Sequence, residues 1–348
     1  MAKYRMELQF RDGTYIGTLP FADLQGELDR WNQPDQIRFK TSKSDLSTYI
    51  NTLSQLEAGL TEVALYRNDV NIFTGPLWEI TASSESDTIT CEADDVSSYL
   101  KRLRVDGNYK YTKKRAADIA WDLITKIQAK PGGNYGITLG TKSTTSVISV
   151  TYARKSVAIL YNTIEKLATG TPGFDWRIGP DRVFHAINPR IAITSGITLE
   201  YRANIRRYSM TQHGRYIAND SFVKGKNKII SSTYVDVDSR NKYGLRHYTN
   251  QDGGLKSKTK ANAKAKQQLA LRKNPVPTVQ LVISDNLINP LDGDFGFGHI
   301  ANVTIDDGWV QYDSQMRCNG YQVTVSKQGN ETYVLYMDDL KAIEGDGE

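Results

Sequence analysis

WEITAS (Trp78–Ser83) followed by DTITCEADDV (Asp87–Val96) returns near the end of the chain as YQVTVS (Tyr321–Ser326) followed by ETYVLYMDDL (Glu331–Leu340). The two stretches match position by position, with one inserted residue in the intervening turn. In a β-strand, successive side chains point to opposite faces. Each stretch therefore predicts a β-hairpin with one apolar and one polar face.

The two stretches also agree in which positions are apolar and which are polar. The apolar positions of the first strand are Trp78, Ile80 and Ala82 in one copy and Tyr321, Val323 and Val325 in the other. The polar positions between them are Glu79, Thr81 and Ser83 in one copy and Gln322, Thr324 and Ser326 in the other. The apolar positions of the second strand are Ile89, Cys91 and Ala93, matched by Tyr333, Leu335 and Met337.

The match extends upstream of both hairpins. Gly59 precedes one earlier hairpin and Gly298 the other, and QIRFKTS (36–42) is mirrored by TVQLVIS (278–284). The repeat thus covers about 60 residues at each end of the chain, which favours duplication of a domain. The alternative is chance, because β-meanders with alternating residues resemble one another. Duplication predicts two similar β-barrel-like domains in one chain.

Between the repeats the periodicity changes from strand to helix. Thr112 is a candidate N-cap for a helix to about Gln128, and a second helix is predicted from near Ser156 to Gly170. Strand-like segments surround both. We therefore predict a mainly β, α+β fold with a first β domain at 1–98, an inserted α+β domain at 99–200, and a second β domain at 201–348 that carries a lysine-rich helix at 257–273.

Composition sets broad limits on function. The chain has 348 residues, 39% hydrophobic and 24% charged, and a net charge of +5 that solubility alone explains. No apolar run approaches the roughly 18 residues that a membrane span needs, and the first residues do not resemble a signal peptide. We expect folding in a cytoplasm, with Cys91 and Cys318 as buried free thiols.

Motifs for catalysis and metal binding are missing from the sequence. The four histidines stand apart, and the sequence contains neither HExxH, nor paired CxxC, nor GxSxG. Aspartate pairs fall at predicted turns or strand ends, where aspartate is favoured for backbone reasons. We therefore expect no enzymatic activity, no metal and no cofactor.

The lysines of the predicted 257–273 helix are a candidate contact surface. We expect a solvated face or a contact with an acidic neighbouring subunit, because no aromatic residues interleave for nucleic-acid stacking. Binding of a phosphate backbone is the alternative. The candidate subunit-contact residues are Lys258, Lys260, Lys264 and Lys266.

Several phrases of the sequence resemble one known family. NIFTGPLWEI (71–80), the run SVAILYNTIEKLATGTPGFDWRIGPDRVFHAINPR (156–190) and HIANVTIDDGWVQYDSQMRCNGYQVTV (299–325) are similar to the tail-hub or baseplate-hub proteins of long-tailed bacteriophages. The likeness is greatest to minor tail proteins of phages that infect actinobacteria and other Gram-positive hosts, and extends to contractile-tail hubs. The segment from Tyr243 to Leu271 fits a helix that these proteins insert in their second tube domain.

The resemblance implies a homotrimer in the virion tail tip. Its paired tube domains would form a pseudo-sixfold ring that continues the lumen of the tail tube, between a distal tail protein and tip, fibre or tape-measure components. Genomic DNA would pass without specific binding. The polar positions become candidates for the lumen wall: Glu79, Thr81, Ser83, Gln322, Thr324 and Ser326. The alternative for these residues is contact with solvent or with the middle domain.

Three other functions remain open on the sequence. The tyrosine and tryptophan content suits a receptor- or carbohydrate-binding tail protein. A hexameric distal tail protein would carry one tube domain per chain rather than two. A tail-associated cell-wall hydrolase would need catalytic groups outside the familiar motifs.

Overall fold

A computed structural model describes residues 2–48, 56–153, 158–169, 173–188, 190–225, 229–251, 255, 257–283 and 288–340. The chain divides into two compact units. The first consists of residues 1–195, 282–299 and 318–335, and the second of residues 196–281, 300–317 and 336–348.

The repeated strands come first and last in the chain. The amino-terminal strands are β1 (Tyr4–Phe10), β2 (Tyr15–Leu19), β3 (Leu24–Leu28), β4 (Gln36–Ser42), β5 (Thr61–Arg67), β6 (Val70–Ala82) and β7 (Thr88–Asp94). Between β4 and β5 lies the short helix α1 (Lys43–Leu46). A helix over Ser44–Ala58 is predicted from the sequence, and residues 49–55 of it lie outside the described part of the chain.

The middle of the chain forms an α+β layer within the first unit. Its strands are β8 (Arg104–Val105), β9 (Tyr109–Arg115), β10 (Thr138–Lys142), β11 (Val147–Tyr152), β12 (Ala158–Ile159), β13 (Asp175–Ile178) and β14 (Val183–Ile187). Its helices are the 3₁₀ helix Val96–Arg102, α2 (Ala116–Gln128) and α3 (Leu160–Ala168). Leu123, Ile164, Trp176 and Phe184 lie in its core, each at most 1% exposed.

The structure corrects one predicted helix boundary. Thr112 is not an N-cap, because it lies inside β9, which pairs with β11 as far as Arg115. Helix α2 begins after Arg115, whose side chain makes no capping hydrogen bond. The predicted start of the next helix at Ser156 lies outside the described residues.

The remaining strands and helices follow the middle layer. The strands are β15 (Ile193–Glu200), β16 (Ile205–His213), β17 (Asp220–Lys224), β18 (Tyr234–Val235), β19 (His247–Gln251), β20 (Val276–Ile283), β21 (His299–Asp306), β22 (Gln311–Val325) and β23 (Glu331–Asp339). The helices are α4 (Val237–Tyr243), α5 (Lys258–Arg272) and the 3₁₀ helices Gly214–Tyr216 and Pro290–Asp292. The lysine-rich helix therefore lies where the sequence predicts it, with Ser257 as its N-cap.

The hydrogen-bonded order of the strands repeats. In the first copy neighbouring strands follow the order β3-β4-β7-β6-β5-β1, and in the second they follow β16-β20-β23-β22-β21-β15. Strand for strand these are the same order, although β17, β18, β19, α4 and α5 are inserted between β16 and β20. Gly59 and Gly298, which precede the two matching hairpins, both have positive φ, at 83° and 81°. This shared six-strand order is the arrangement that duplication of a domain would produce.

The predicted apolar faces are buried in both copies, with small departures in the first. Ile89, Cys91, Ala93, Tyr321, Val323, Val325, Tyr333, Leu335 and Met337 are all at most 4% exposed. In the first copy, however, Trp78 and Ile80 are only half-buried, and Ala82 is exposed. The mainly β, α+β class is confirmed, while the described strands, which form one 13-stranded sheet and four small sheets, include no closed barrel.

Candidate functional site

A strip of polar side chains crosses five neighbouring strands of the first unit. Antiparallel pairing aligns β22, β3, β4, β7 and β6 so that the polar positions of each strand stand side by side. One row is Gln322, Glu27, Gln36 and Asp94, and the next is Thr324, Gln25, Arg38, Glu92 and Glu79. A third, shorter row is Lys40, Thr90 and Thr81. We call these twelve residues the polar strip.

The polar strip is acidic, although the chain as a whole is basic. It contains two cations, Arg38 and Lys40, against four carboxylates. Arg38 Nε lies 3.2 Å from Glu92 Oε1, and Lys40 Nζ lies 3.5 Å from the carboxylate of Asp23. Both cations are therefore neutralised locally, and the strip offers no concentrated positive charge to a phosphate backbone.

Four of the six predicted lumen residues lie in the strip. Glu79 and Thr81 come from the first copy, and Gln322 and Thr324 from the second. Pairing of β22 with β3 places both sets on one face of one sheet. Ser83 and Ser326 lie just beyond the ends of β6 and β22, and the carbonyl of Ser83 accepts a hydrogen bond from Lys43 Nζ at 2.6 Å.

The strands β3 and β4 supply residues of the strip that the sequence prediction missed. Gln25 and Glu27 belong to LQGEL, a segment not predicted as a strand because glycine at its centre weakens the pattern. Gly26 fits closely here, since a Cβ would lie 3.3 Å from side-chain atoms of Ile37 and Leu28. The alternation of polar and apolar residues in QIRFKTS was a signal that identifies Arg38 and Lys40.

Two further carboxylates, Asp95 and Asp35, lie beside the Asp94 end of the strip. Asp95 follows Asp94 directly; its Oδ2 accepts a hydrogen bond from the Asp35 amide at 2.9 Å and its Oδ1 one from the Ser97 amide at 2.8 Å. Burial raises the pKa of Asp95 to about 6. Burial and the nearby Asp95 charge raise the pKa of Asp35 well above its usual range. This pair fixes the turn into β4 and the start of the 3₁₀ helix Val96–Arg102.

A buried ion pair joins strands of the two copies within the first unit. Arg67, at the end of β5, donates to Glu331 of β23 through Nε at 2.7 Å and Nη2 at 3.1 Å. The Tyr4 hydroxyl donates to the same carboxylate at 2.6 Å, and Tyr333 donates as well. Arg67 and Glu331 side chains are only 7% and 8% exposed.

The four candidate lysines lie together on α5 in the second unit. Lys258, Lys260 and Lys266 are exposed, whereas Lys264 is partly buried. Lys266 Nζ lies 5.3 Å from the ring centre of Tyr234. Ala261 and Ala265 form the buried side of the helix. The lysines therefore stand on a mostly solvated side, where contact with a neighbouring subunit is sterically open.

The described residues hold neither a metal cluster nor an exposed thiol. These residues contain no group of three or more His, Cys, Asp or Glu side chains arranged to hold a metal ion. Cys91 and Cys318 are buried thiols that form no disulfide, as predicted. Within the described ranges, no helix combines the length and the apolar character that crossing a membrane requires.

Solved structures with the same fold come from phage tails and a related secretion system. The 43 kDa tail protein of prophage MuSo2 from Shewanella oneidensis superposes with a TM-score of 0.71 at 13% identity, covering 97% of this chain and 98% of that one. A tail protein from Neisseria meningitidis MC58 gives a TM-score of 0.69 at 14% identity, covering 99% and 98%.

A third similar structure is the E. coli c3393 protein, a component of the type VI secretion system with structural similarity to the T4 tail proteins gp27 and gp5. Its TM-score is 0.54 at 12% identity, covering 95% of this chain and 76% of that one. No protein-family model and no curated protein matches the sequence. The chain thus has the fold of phage tail and baseplate-hub proteins, which confirms the resemblance predicted from the sequence.

Proposed function

We propose that this chain is a structural, non-enzymatic subunit of a phage tail tip, and that three copies form a pseudo-sixfold hub ring around the tail-tube lumen. The observation that carries the proposal is the repeated six-strand order within one chain. Three chains with two copies each present six similar positions around an axis. Such a ring fits between a six-fold distal tail protein and three-fold tip or fibre components.

In this proposal each copy forms a tube-type, barrel-like domain. The division is 1–98 and 201–348 for the two tube domains, with 99–200 inserted between them. The duplication favours this hub over the hexameric distal tail protein, which needs only one copy per chain. The subunit would assemble in the host cytoplasm and reside in the virion.

The polar strip is the proposed lumen wall. Its hydroxyl, amide and paired charged groups keep the surface hydrated, and its excess of carboxylates repels a polyanion. DNA would therefore slide past without the phosphate contacts that hold DNA-binding proteins in place.

Symmetry provides the first test. Light scattering of the purified full chain after size exclusion is expected to give a trimer, and a reconstruction of the tail tip is expected to show three chains around a pore. A chain that stays monomeric alone and with its tail partners would refute the hub.

Added charge provides a test of the lumen wall. The variant Thr81→Lys/Thr324→Lys places two lysines per chain in the strip, which makes six per trimer. We expect this variant to retain DNA, and the logarithm of its DNA affinity should fall with the logarithm of the salt concentration with a slope of about −5. The matched control is Thr138→Lys/Thr151→Lys, at exposed positions of the middle layer. Slowed DNA ejection only in the first variant supports the assignment, and equal ejection rates would place the lumen elsewhere.

An exposed tryptophan favours the second candidate, a carbohydrate-binding tail protein. Trp309 is 94% exposed at the tip of the β21–β22 hairpin. Asp307 Oδ1 accepts hydrogen bonds from the amides of Trp309 at 2.9 Å and Val310 at 2.7 Å, which fixes the turn. Glycan binding by the full chain that is lost in Trp309→Ala would support this function, and no binding to a host-envelope glycan array would exclude it.

A further inference from the structure

The strand β22 has different partners in its two halves. Its first half pairs with β21, from Gln311 opposite Asp306 to Arg317 opposite Ile300. Its second half lies between β23 and β3, and it pairs with β3 from Tyr321 opposite Leu28 to Val325 opposite Leu24. Gly320, with φ of 122°, lies between the two halves. The second pairing joins a strand of the second copy to a strand of the first.

The equivalent strand β6 has a counterpart of β21, which is β5, but no described strand takes the place of β3 beside it. Its first half pairs with β5, ending at Glu62 opposite Pro76. Its second half pairs with β7, from Leu77 to Ala82. In the described part of the chain, β5 and β7 are the only neighbours of β6 in the sheet order. The second edge of Glu79–Ala82 therefore lacks the strand that covers its counterpart in β22.

Burial shows what that covering strand does. Val323 and Val325, beside β3, are 0% and 1% exposed. Their counterparts Ile80 and Ala82 are half-buried and exposed. The same sequence positions therefore lie in a completed sheet in one copy and at an incomplete edge in the other.

The repeat identifies the missing strand. β3 pairs with β4 in the first copy, and its counterpart β16 pairs with β20 in the second. β16 is the last strand of that order among the described residues. We propose, resting on the ring of the proposed function, that β6 of one subunit pairs antiparallel with β16 of the next, repeating between chains the β22–β3 pairing within each chain. A head-to-tail contact of this kind closes a ring.

One side-chain contact gives the register. His213 Nε2 lies 3.2 Å from Thr278 Oγ1. Thr278 occupies the place of Gln36 in the matching segments, and Gln36 lies opposite Glu27 of β3. His213 thus holds the place of Glu27, which faces Gln322 in β22. By the same correspondence, His213 lies opposite Glu79 of the neighbouring subunit, and Thr211 lies opposite Thr81.

Cysteine cross-linking of the full chain tests this pairing. Chains carrying only Thr81→Cys are mixed with chains carrying only Thr211→Cys, assembled and oxidised. Facing strands bring the two Cα atoms to about 5.5 Å, within disulfide range. The expected product is a covalent dimer that forms in the mixture and not from either variant alone. The native cysteines do not interfere, because both are buried.

Two controls make the outcome decisive. The positive control is Gln25→Cys/Thr324→Cys, the facing pair of the intrachain interface, which should form a disulfide within one chain. The negative control pairs Thr81→Cys with Thr151→Cys of the middle layer. The register is scanned with Ser209→Cys and His213→Cys in place of Thr211→Cys.

The results separate this inference from the ring itself. A trimer by light scattering with no cross-link at any of the three β16 positions, while the positive control oxidises, overturns the strand pairing and leaves the ring. A disulfide within a single chain carrying both Thr81→Cys and Thr211→Cys also overturns it. A chain that never forms trimers overturns the proposed function and this inference together.

Discussion

Replacing Glu331 with glutamine tests the buried ion pair that joins strands of the two copies. The carboxylate receives four hydrogen bonds, two at each oxygen: from Tyr4 and Arg67 Nε at Oε1, and from Arg67 Nη2 and Tyr333 at Oε2. Glutamine keeps one oxygen and loses the charge. Its amide nitrogen would face two donors wherever it points, so two of the four hydrogen bonds are lost.

The expected cost follows from burial. Removing one partner of a buried ion pair costs about 3–5 kcal/mol, because the other charge stays buried without compensation. Here Arg67 keeps a second carboxylate, Asp292, whose side chain is 52% exposed. We therefore expect Glu331→Gln to lower the free energy of unfolding by about 3 kcal/mol. Tyr4→Phe removes one hydrogen bond to the charged group and should cost about 1.5–2 kcal/mol.

Urea denaturation followed by tryptophan fluorescence measures these changes. The matched control is Thr332→Ala, an exposed neighbour on β23, which should change stability by less than about 0.5 kcal/mol. The double variant Arg67→Met/Glu331→Met should lose less free energy of unfolding than the sum of the losses in Arg67→Met and Glu331→Met. A loss below about 1 kcal/mol for Glu331→Gln, or an additive double variant, would refute the reasoning.

The same ion pair predicts a pH dependence. Burial alone would raise the pKa of Glu331, but the hydrogen bonds from the arginine and the two tyrosines outweigh it and lower that pKa below 4.5. The stability from this group is therefore fully present above pH 4.5 and is lost as the pH falls through the lowered pKa. Acid unfolding should begin at higher pH in Tyr4→Phe than in the unaltered chain.

Three further predictions concern buried groups. Asp35→Asn should raise the melting temperature at pH 8 and hardly at pH 4, because the raised pKa of the Asp35 carboxyl favours folding below pH 3.8 and that gain is lost as the pH rises through the raised pKa; equal shifts at both pH values would contradict it. Gly75→Ala should lower the free energy of unfolding by more than about 3 kcal/mol or prevent soluble expression, because a Cβ there would lie 2.0 Å from the backbone oxygen of Asp94. The control Gly214→Ala should be tolerated, because the nearest atom to its Cβ would lie 4.0 Å away. Both cysteine thiols should stay unreactive toward Ellman's reagent until the chain is unfolded, and rapid labelling of the native protein would contradict their burial.

Patterns that depend on nearby residues could be predicted from the sequence. The alternation in DTITCEADDV and ETYVLYMDDL identified buried faces, because one side of each strand must meet the core. Helix α5 was placed nearly to its ends, since Ser257 caps its start and prolines follow its last turn.

Features that depend on distant pairing could not be predicted in this way. LQGEL becomes a strand because Tyr321–Val325 pairs with it from almost 300 residues away in the sequence. Thr112 suits an N-cap by residue type, but pairing of β9 with β11 keeps the backbone extended. Assembly of the polar strip from both copies likewise follows from the β22–β3 pairing, which alternation within each strand does not specify.

The pairing of β3 with β22 also has a consequence for biosynthesis. Ribosomes release the amino-terminal strands first, yet the neighbour of β3 and the carboxylate that neutralises Arg67 lie more than 260 residues further along the chain. In the nascent chain the edge of β3 therefore lacks β22, and Arg67 lacks Glu331, while about 220 further residues are translated at roughly 5–20 residues per second. Chaperone protection during that interval of tens of seconds would be needed to keep new chains from joining prematurely through their open edges.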